Sequence, residues 1–405
     1  EAVAPTPPVL DLTPEDIEAV AEELVEYHTA FAGLYYRSEQ AHWGYKYLQG
    51  LMLPIERKAI QPMALALEGG DIQAMQQFIG QGRWQDERLL DKHWELVGQT
   101  LGEADGVLIV DGSGFPKKGQ HSVGVARQWC GNLGKVDNCQ VGVFSAYASR
   151  KGYTLLEGRL YLPEEWFDGE HRERWERCGI PEGTPFQTQP QLALGLIRAV
   201  LDSGHLACRW LACDEFFGRD TAFLDQVAGW GLWYLAEVPH DTQVWLERPE
   251  TAVPTWAGRG RRPTRPRVQP GQAAALRVDA IAAQLPADAW QAYLIREGSQ
   301  GPMVADFAFL RVVAGREGLP GPEVWLVLRR SLGAEPELKT FLSNAPVSAL
   351  RWPVEMSLEE CKGGLGMDHY EVRSWLGWHH HMTLCILAHH FLVRVQARLK
   401  RGLQP

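Results

Sequence analysis

The sequence lacks the cysteine patterns of disulfide-rich and zinc-binding proteins. It has seven cysteines in 405 residues, an odd number, and no Cys-x-x-Cys pair. A disulfide framework or a zinc ribbon is therefore not expected, and we interpret the thiols as reduced, in a cytoplasm. No run of 18 apolar residues occurs, because His389 and His390 interrupt the best stretch, so no membrane-spanning helix is expected. The first residues have no basic region and no apolar core, so no signal peptide is expected.

The chain also has fewer basic residues (40) than acidic residues (50), and the basic residues are unevenly distributed. The formal net charge is −10, which taken alone argues against a nucleic-acid-binding protein. However, Arg259–Arg277 contains six arginines and Arg394–Arg401 contains four basic residues, and neither segment contains an acidic residue. The overall charge therefore conceals two basic segments. Hydrophobic residues make up 45% and charged residues 22% of the chain, as in globular proteins, and its length predicts two or three domains.

The first hundred residues have the pattern of helices. Thr13 is a suitable N-cap, because Pro14 follows at the first helical position and Asp16 lies three residues after the cap. Helices are also predicted over Glu56–Leu67 and Ile72–Gly80, on either side of a glycine-containing turn in which Asp71 caps the second helix. This pair resembles a helix-turn-helix, and an ordinary helical hairpin remains the alternative.

From Gly106 onward the pattern changes to alternating strands and helices. Val107–Val110 is predicted to be a buried strand that ends at Asp111, followed by a turn over Gly112–Pro116. The remaining predicted elements of this part are strands at Val136–Ala148 and Tyr153–Leu162, a helix at Gln189–Leu201, a strand at Arg209–Cys213 that ends at Asp214, a helix at Thr221–Ala228 and a strand at Leu232–Val238. The predicted order is β-β-β-α-β-α-β.

A second β-rich region follows. It begins with an arm rich in arginine, proline and glycine, Gly258–Gly271. Short strands are then predicted at Ala289–Arg296, Val304–Val313, Val324–Leu328 and Leu338–Leu342. The chain from Arg351 to about Leu399 is predicted to be helical again.

Two groups of residues are candidates for chemistry. Asp111 and Asp214 each end a predicted strand, and adjacent carboxylates at a sheet edge suit magnesium, although many strands end in Asp only for turn chemistry. Arg351, Glu355 and Lys362 would lie within about 40° of one another on a helix. The alternative for this second group is a solvated face stabilised by salt bridges.

Several long stretches of the sequence occur in an order that resembles a known family. They are Asp111–Gly119, Ser122–Arg127, Gly134–Gly142, Asp214–Arg219, Leu342–Pro346, Arg351–Lys362 and Gly377–Leu384. Together they resemble the DDE transposases of bacterial insertion sequences, in the superfamily with a Tyr-x2-Arg-x3-Glu-x6-Lys signature. More narrowly, they resemble the insertion-sequence seven-hundred-and-one family, over roughly residues 30–395.

The resemblance implies an α/β fold with a ribonuclease H-like catalytic core. It implies an α-helical N-terminal DNA-binding domain at residues 1–100 and the first part of the core at 101–240. It further implies a basic arm with a β-rich insertion at 241–345, and C-terminal helices of the core, which carry the catalytic Glu, at 346–405.

The resemblance also implies that Asp111, Asp214 and Glu355 are catalytic and hold two Mg²⁺ ions, for which Mn²⁺ can substitute. Glu359, Glu360 and Glu371 compete for the third position, but only Glu355 has Arg four residues before it and Lys seven after it. The Tyr position of the signature is occupied by Ser348 here, which puts one expected DNA contact in doubt.

Two metals can activate a water or a 3′-hydroxyl and stabilise the leaving 3′-oxygen of a phosphodiester. The implied function is a cut-and-paste transposase that cleaves transposon ends and joins their 3′-hydroxyls to target DNA, without a covalent protein–DNA intermediate. The implied partner is double-stranded DNA, comprising terminal inverted repeats and target, bound by a homodimer associated with the bacterial nucleoid.

Several basic residues are predicted to contact DNA phosphates. Lys117 and Lys118 follow the first aspartate, and turn lysines in water are the alternative. Arg351 and Lys362 are expected to face phosphates in the metal cleft. The arm contributes Arg259, Arg261, Arg262, Arg265 and Arg267, unless it is only a solubilising loop. A weaker candidate is the helix face formed by Arg394, Arg398 and Arg401.

Other features favour a structural interpretation. The histidines at 379–381, 389 and 390 are expected to pack in a core, because adjacent helical side chains diverge and cannot all bind one ion. Trp256 and Trp325 are predicted core residues that have a smaller chance of stacking on bases. Two other functions remain open: a domesticated DNA-binding relative or nuclease without transposition activity, and a carbohydrate-active hydrolase, which the arginine arm fits poorly.

Overall fold

The computed structural model describes residues 13–256, 258–298, 301–333, 335–350, 367 and 370–402. These residues form two compact units. The first unit contains the described chain up to Arg209 together with the part from Met367 onward, and the second unit begins at Trp210 and ends at Leu350. The four-part domain division remains a prediction.

The described chain contains both helices and strands. The helices are α1 (Pro14–Ala32), α2 (Ser38–Met52), α3 (Ile60–Ala66), α4 (Ile72–Gln81), α5 (Asp86–Leu101), α6 (Arg172–Cys178), α7 (Gln189–Ser203), α8 (Glu215–Gly218), α9 (Thr221–Gly229), α10 (Val278–Gln284) and α11 (Trp375–Gly402). The strands are β1 (Val107–Pro116), β2 (Ala126–Cys130), β3 (Lys135–Ser149), β4 (Gly152–Tyr161), β5 (Trp210–Cys213), β6 (Trp233–Glu237), β7 (Gln243–Trp245), β8 (Thr251–Ala252), β9 (Arg267–Val268), β10 (Leu276–Arg277), β11 (Gln291–Gly298), β12 (Gly301–Arg316), β13 (Leu319–Ser331) and β14 (Leu338–Ser343).

The N-terminal helices follow from their capping residues. The Thr13 hydroxyl accepts a hydrogen bond from the Asp16 amide, so Thr13 is the N-cap as predicted. The Asp16 carboxylate also accepts a hydrogen bond from the Thr13 amide, which completes a capping box. The two predicted helices are confirmed as α3 and α4, with Asp71 capping α4. Their resemblance to a helix-turn-helix stays a prediction. However, α3 begins at Ile60 rather than at Glu56. This start places Pro62 in the first turn, whereas a helix beginning at Glu56 would lose a backbone hydrogen bond there.

An antiparallel sheet forms the other half of the first unit. β3 pairs with β1 on one side, and on its other side it pairs first with β2 and then with β4. The prediction that the first strand ends at Asp111 is wrong, because β1 pairs with β3 as far as Pro116. Glycine is unfavourable in strands, but Gly114 is needed here because a Cβ atom would lie 2.9 Å from the Cys130 sulfur. The strand β2 was not predicted.

The predicted helical segment at the C-terminal end is described only from Trp375, where α11 begins. The core that α11 shares with α1–α5 includes Leu384, Leu387 and Phe391. The core position of the histidines is confirmed: His380 and His381 are buried, and the Tyr47 hydroxyl lies 2.8 Å from Nδ1 of His381. Among the described helices, none is long and apolar enough to cross a lipid bilayer.

The second unit contains a large mixed sheet. Its strand order is β10-β7-β12-β13-β14-β6-β5, and β11 also pairs with β12. β5 and β6 are parallel, whereas the other pairs are antiparallel. The four strands predicted between residues 289 and 342 are confirmed: β11 is shifted by two residues toward the C-terminus, and β12, β13 and β14 are longer than predicted. β14 hydrogen bonds β6, so the strands predicted as an insertion continue the sheet that contains β5.

Candidate active site and DNA-contacting residues

Asp111 lies within β1, half-buried, where it is paired with Phe144 of β3. The four residues before it, Val107–Val110, are buried. The Asp111 carboxylate is therefore carried by a strand whose first four residues pack in a core. Gly112 follows, and a Cβ atom there would lie 3.3 Å from Oε1 of Gln189 in α7, so the backbone beside the carboxylate is closely approached by a polar side chain.

Asp214 directly follows β5, as the sequence predicts. Its Oδ1 accepts hydrogen bonds from the amides of Phe216, at 3.1 Å, and Phe217, at 3.3 Å, so it is the N-cap of α8. Two amide donors to one oxygen fix the orientation of the carboxylate, which is half-buried. Close packing supports this turn, because a Cβ atom at Gly218 would collide with the carbonyl oxygen of Glu237 in β6.

The third predicted carboxylate, Glu355, lies outside the described residues, as do Arg351 and Lys362. The convergence of Glu355 with Asp111 and Asp214 therefore stays a prediction. Among the competing glutamates, Glu359 and Glu360 also lie outside the described residues. Glu371 is described, and its Oε1 lies 2.6 Å from a guanidinium nitrogen of Arg57, in a pair whose side chains are both more than half exposed.

The loop after β1 is fixed by one asparagine that sequence reasoning missed. Nδ2 of Asn138, in β3, donates to the carbonyl oxygens of Lys117, at 2.7 Å, and Gly119, at 2.9 Å. The Lys117 amide in turn donates to the Asn138 carbonyl. The two lysines of this loop that were predicted to contact phosphates differ in exposure: Lys117 is half-buried, whereas Lys118 is exposed.

Tyr370, where the described chain continues after the Glu355 segment, packs against this loop. Its hydroxyl donates to Oε1 of Gln140 at 2.8 Å and accepts from Nε1 of Trp378 at 3.2 Å. Nε2 of Gln140 donates to the Val123 carbonyl, so both the nitrogen and the oxygen of this buried side-chain amide have hydrogen-bond partners. Gln140 could have been identified by its polarity between Cys139 and Val141, whereas Asn138 follows Asp137 in a polar part of β3 and offers no such signal.

The five arginines of the arm are all exposed. The arm connects the short strands β8 and β9, which pair with each other, and Arg267 lies in β9 opposite Ala252. Trp256 precedes the arm, is 49% exposed and donates from Nε1 to the Gly260 carbonyl at 3.2 Å. The prediction that this tryptophan packs in a core is therefore wrong.

The basic face of α11 has a structural partner. Guanidinium nitrogens of Arg394 and Arg398 lie 3.7 Å and 2.9 Å from the carboxylate of Glu23 in α1. The Arg394 guanidinium also lies over the Tyr27 ring, at 5.4 Å. These contacts join α11 to α1, so they weaken the case for these arginines as DNA contacts.

Residues 27–302 match the protein family described as DDE superfamily endonuclease. This range covers more than half of the chain and includes both Asp111 and Asp214. The chain belongs to this family. The resemblance inferred from the strand-borne aspartates and their neighbouring motifs is thereby confirmed.

Two named proteins show how far the similarity extends. The protein called "Probable transposase for insertion sequence element IS701", from Microchaete diplosiphon, is 32% identical over 162 residues. This alignment covers 40% of the chain and only 39% of that relative. The crystal structure of the NurA nuclease from Sulfolobus solfataricus covers 75% of this chain and 85% of its own, at 10% identity and a TM-score of 0.26. A TM-score this low carries no argument about the fold.

Proposed function

We propose that the protein is a DNA transposase that binds the ends of a mobile element, cleaves them by phosphodiester hydrolysis and joins the 3′-hydroxyl ends to target DNA. The observation that carries this proposal is the match to the DDE superfamily endonucleases across the segment that contains Asp111 and Asp214. The partial similarity to a probable transposase favours transposition over nuclease activity alone.

The proposed catalytic carboxylates are Asp111, Asp214 and Glu355. Nucleases of this superfamily generally use divalent metals, and oxygen ligands of this kind suit Mg²⁺. The described part of the site fits such an ion, because the hydrogen bonds from Phe216 and Phe217 hold the Asp214 carboxylate in one orientation. Two bound ions would supply an activated hydroxyl nucleophile and charge stabilisation for the leaving 3′-oxygen.

The protein's own contribution is to position these carboxylates and the DNA backbone. Asp111 is carried by a strand that is paired along its length, and Asp214 is held by a capped turn, so neither carboxylate needs to be ordered when DNA arrives. We propose that a ribonuclease H-like arrangement brings the Glu355 segment to them. The exposed side chains of Lys118 and the arginine arm are proposed to hold phosphates.

The test is metal-dependent cleavage of DNA by Asp214→Asn. Asparagine has the same shape and can still cap α8, but it removes the negative charge that a metal ligand needs. The matched control is Asp220→Asn, because Asp220 caps the next helix, α9, through the same kind of hydrogen bond to the Phe223 amide.

We expect loss of Mg²⁺-dependent cleavage in Asp214→Asn, normal cleavage in Asp220→Asn and DNA binding retained by both. Cleavage at the wild-type rate in Asp214→Asn would refute the assignment. Strand joining is measured separately, with pre-cleaved ends and a plasmid target. A protein that cleaves but never joins would be the nuclease without transposition activity, and one that only binds would be a domesticated relative.

A further inference from the structure

A polar groove with a volume of about 890 Å³ lies in the first unit, beside α4. One wall is formed by Gln73, Gln76, Gln77 and Gln81 of α4. The basic residues of the opposite wall are His121, Arg177 and Arg373. Among the described residues that line the groove, none is acidic.

The sequence of α4 forces its glutamines into this groove. Met75, Phe78 and Ile79 are buried in the helical core, and His380 lies with Nδ1 2.9 Å from the Ile79 carbonyl oxygen. The Phe78 carbonyl also accepts a hydrogen bond from Trp84 at 3.2 Å. The glutamines, spaced i, i+3, i+4 and i+8, share the other face of the helix, and all four are exposed.

The opposite wall is built from three chain segments that are joined to one another. The Cys178 thiol, at the end of α6, donates to the His121 carbonyl at 3.6 Å. The Val123 amide donates to the Arg373 carbonyl at 2.9 Å. These bonds hold the three basic side chains on one side of the groove, and all three are exposed.

One of these three basic side chains, Arg177, has an ion-pair partner on the protein surface. A guanidinium nitrogen of Arg177 lies 2.6 Å from Oε1 of Glu173, one turn earlier on α6. Both side chains are more than half exposed, and such pairs contribute little net stability. The pair therefore leaves Arg177 available to exchange Glu173 for a phosphate.

The chemistry of the two walls matches one strand of nucleic acid. Guanidinium groups bind phosphates in a bidentate manner, and a glutamine amide offers one donor and one acceptor edge, as adenine does. The volume falls in the range of ligand-binding clefts, so the groove has room for part of one strand of a duplex but not for the whole duplex. We propose that this groove receives one strand of the DNA substrate, with phosphates against Arg177 and Arg373 and base edges against the glutamines of α4.

This inference rests on the proposed function for the identity of the ligand, and it adds a sequence-reading site to it. The probe is a library of DNA duplexes with a randomised centre, from which the full-length protein selects its preferred sequences. Affinity for the selected sequence and for an unselected duplex is then measured against salt concentration.

The first variant is Arg177→Ala/Arg373→Ala. We expect weaker binding to both duplexes and a salt-dependence slope lower by roughly two units, one for each lost phosphate contact. The control is Arg172→Ala, because Arg172 is also on α6 and paired with a glutamate, but does not line the groove. It should leave the slope nearly unchanged.

The second variant replaces Gln73, Gln76, Gln77 and Gln81 by alanine, which preserves the helix. We expect a lost or altered selected sequence, with discrimination reduced roughly 5- to 150-fold at each base position that a glutamine reads. Binding to the unselected duplex should change little. Gln61→Ala, on the exposed surface of α3, is the matched control.

The outcomes separate this inference from the proposed function. The groove is refuted if the four-glutamine variant selects the same sequence with the same affinity, whether or not the protein cleaves DNA. It is also refuted if the two-arginine variant keeps the wild-type slope. Conversely, the four-glutamine variant could select a different sequence although the wild-type protein never cleaves DNA. That result supports the proposed role of the groove and refutes the proposed nuclease activity. Unchanged thermal unfolding of each variant shows that the fold is intact.

Discussion

The ammonium group of Lys117 lies 3.4 Å from the centre of the Tyr370 ring. The same ammonium donates to the Tyr370 carbonyl at 3.3 Å. Tyr370 in turn contacts Phe115, in the strand that carries Asp111, with ring centres 5.9 Å apart. The lysine therefore joins the end of this strand to the chain that follows the Glu355 segment, although it was predicted to contact DNA.

The two adjacent lysines are expected to differ when each is replaced by alanine. Lys117→Ala should lower the free energy of unfolding by about 0.5–2 kcal/mol, because a cation–π contact and the packing of its stem are lost. Lys118→Ala should leave stability unchanged but flatten the salt dependence of DNA binding by just under one unit. Urea unfolding and affinity at several salt concentrations measure both effects. Equal salt slopes for the two variants, each with wild-type stability, would contradict this assignment.

The sequence predicted the elements that have strong local signals. The capping residues Thr13 and Asp71, and the apolar strands before Asp111 and Asp214, are where they were expected. The continuation of β1 beyond Asp111 was missed because glycine has no intrinsic preference for strands. There the partner strand, and the close approach of Cys130 to Gly114, decide the conformation.

The candidate site was predictable only in its individual residues. Asp214 was identified by its place after a strand, but its two amide donors follow from the turn geometry, which the sequence does not display. The role of Asn138 depends on a contact between β3 and a loop about 20 residues away. The glutamine face of α4 is visible as four glutamines in ten residues, but its opposite wall comes from distant segments.

The close packing behind Gly114 gives a direct stability prediction. Gly114→Ala would place a Cβ atom 2.9 Å from the Cys130 sulfur and 3.1 Å from the Cys130 Cα. Since backbone cannot move away easily, we expect a loss of about 1–3 kcal/mol in the free energy of unfolding. Gly131→Ala, one residue after Cys130, has no atom within 4 Å of the added Cβ and is the control. Similar melting temperatures for both variants would show that β1 tolerates the added methyl group.

Histidines in the first unit should make it sensitive to acid. Burial lowers the pKa of His93, His379 and His389 to about 4, and lowers that of His390 well below its ordinary value. Their stabilising contribution is therefore fully present above the unfolded-state pKa of 6.5 and is lost as the pH falls toward 4. Burial raises the pKa of Glu157, so this carboxyl binds its proton more readily in the folded state. It therefore offsets the proton uptake of at most one of these histidines on unfolding.

Each proton taken up on unfolding changes the free energy of unfolding by roughly 1.4 kcal/mol per pH unit. His389→Gln removes one of these protons and should reduce the acid slope by about that amount, whereas the exposed His121→Gln should not. Urea unfolding between about pH 4.5 and 6.5 measures the slope. A free energy of unfolding that is constant over this range would contradict the prediction.

A second pH effect is expected on the alkaline side, from Asp86 and His380. Oδ2 of Asp86 lies 3.6 Å from Nε2 of His380, and burial raises the pKa of Asp86 to about 8. In the folded state the pair keeps one proton, on Asp86, up to about pH 8. In the unfolded state it loses its last proton, from His380, near pH 6.5. Stability should therefore fall as the pH rises from 6.5 to 8, by roughly 2 kcal/mol.

Asp86→Asn should remove this alkaline loss, because asparagine does not titrate. Glu87→Gln is the matched control, since Glu87 lies next to Asp86 in the first turn of α5 and is exposed. The free energy of unfolding at neutral and at mildly alkaline pH decides between them. The same alkaline slope in Asp86→Asn and in the wild type would show that the pair is not the cause.

The last prediction concerns the arm between β8 and β9. Arg259, Arg261, Arg262, Arg265 and Arg267 are exposed and lie in a segment without acidic residues, in a protein whose net charge is −10. Each phosphate contact adds just under one unit to the slope of log affinity against log salt. Replacing all five by alanine should therefore weaken DNA binding and flatten this slope by up to about four units.

Stability should be unchanged in this variant, because exposed arm residues contribute no core packing. The matched control replaces the same five arginines by lysine, which keeps the charge but loses the planar, bidentate group. If the arm acts by charge alone, the lysine variant keeps the wild-type slope and affinity. If it inserts guanidinium groups into a narrow groove, the slope is kept but the affinity falls. Equal slopes and affinities for the wild type and the alanine variant would show that the arm is only a solvated loop.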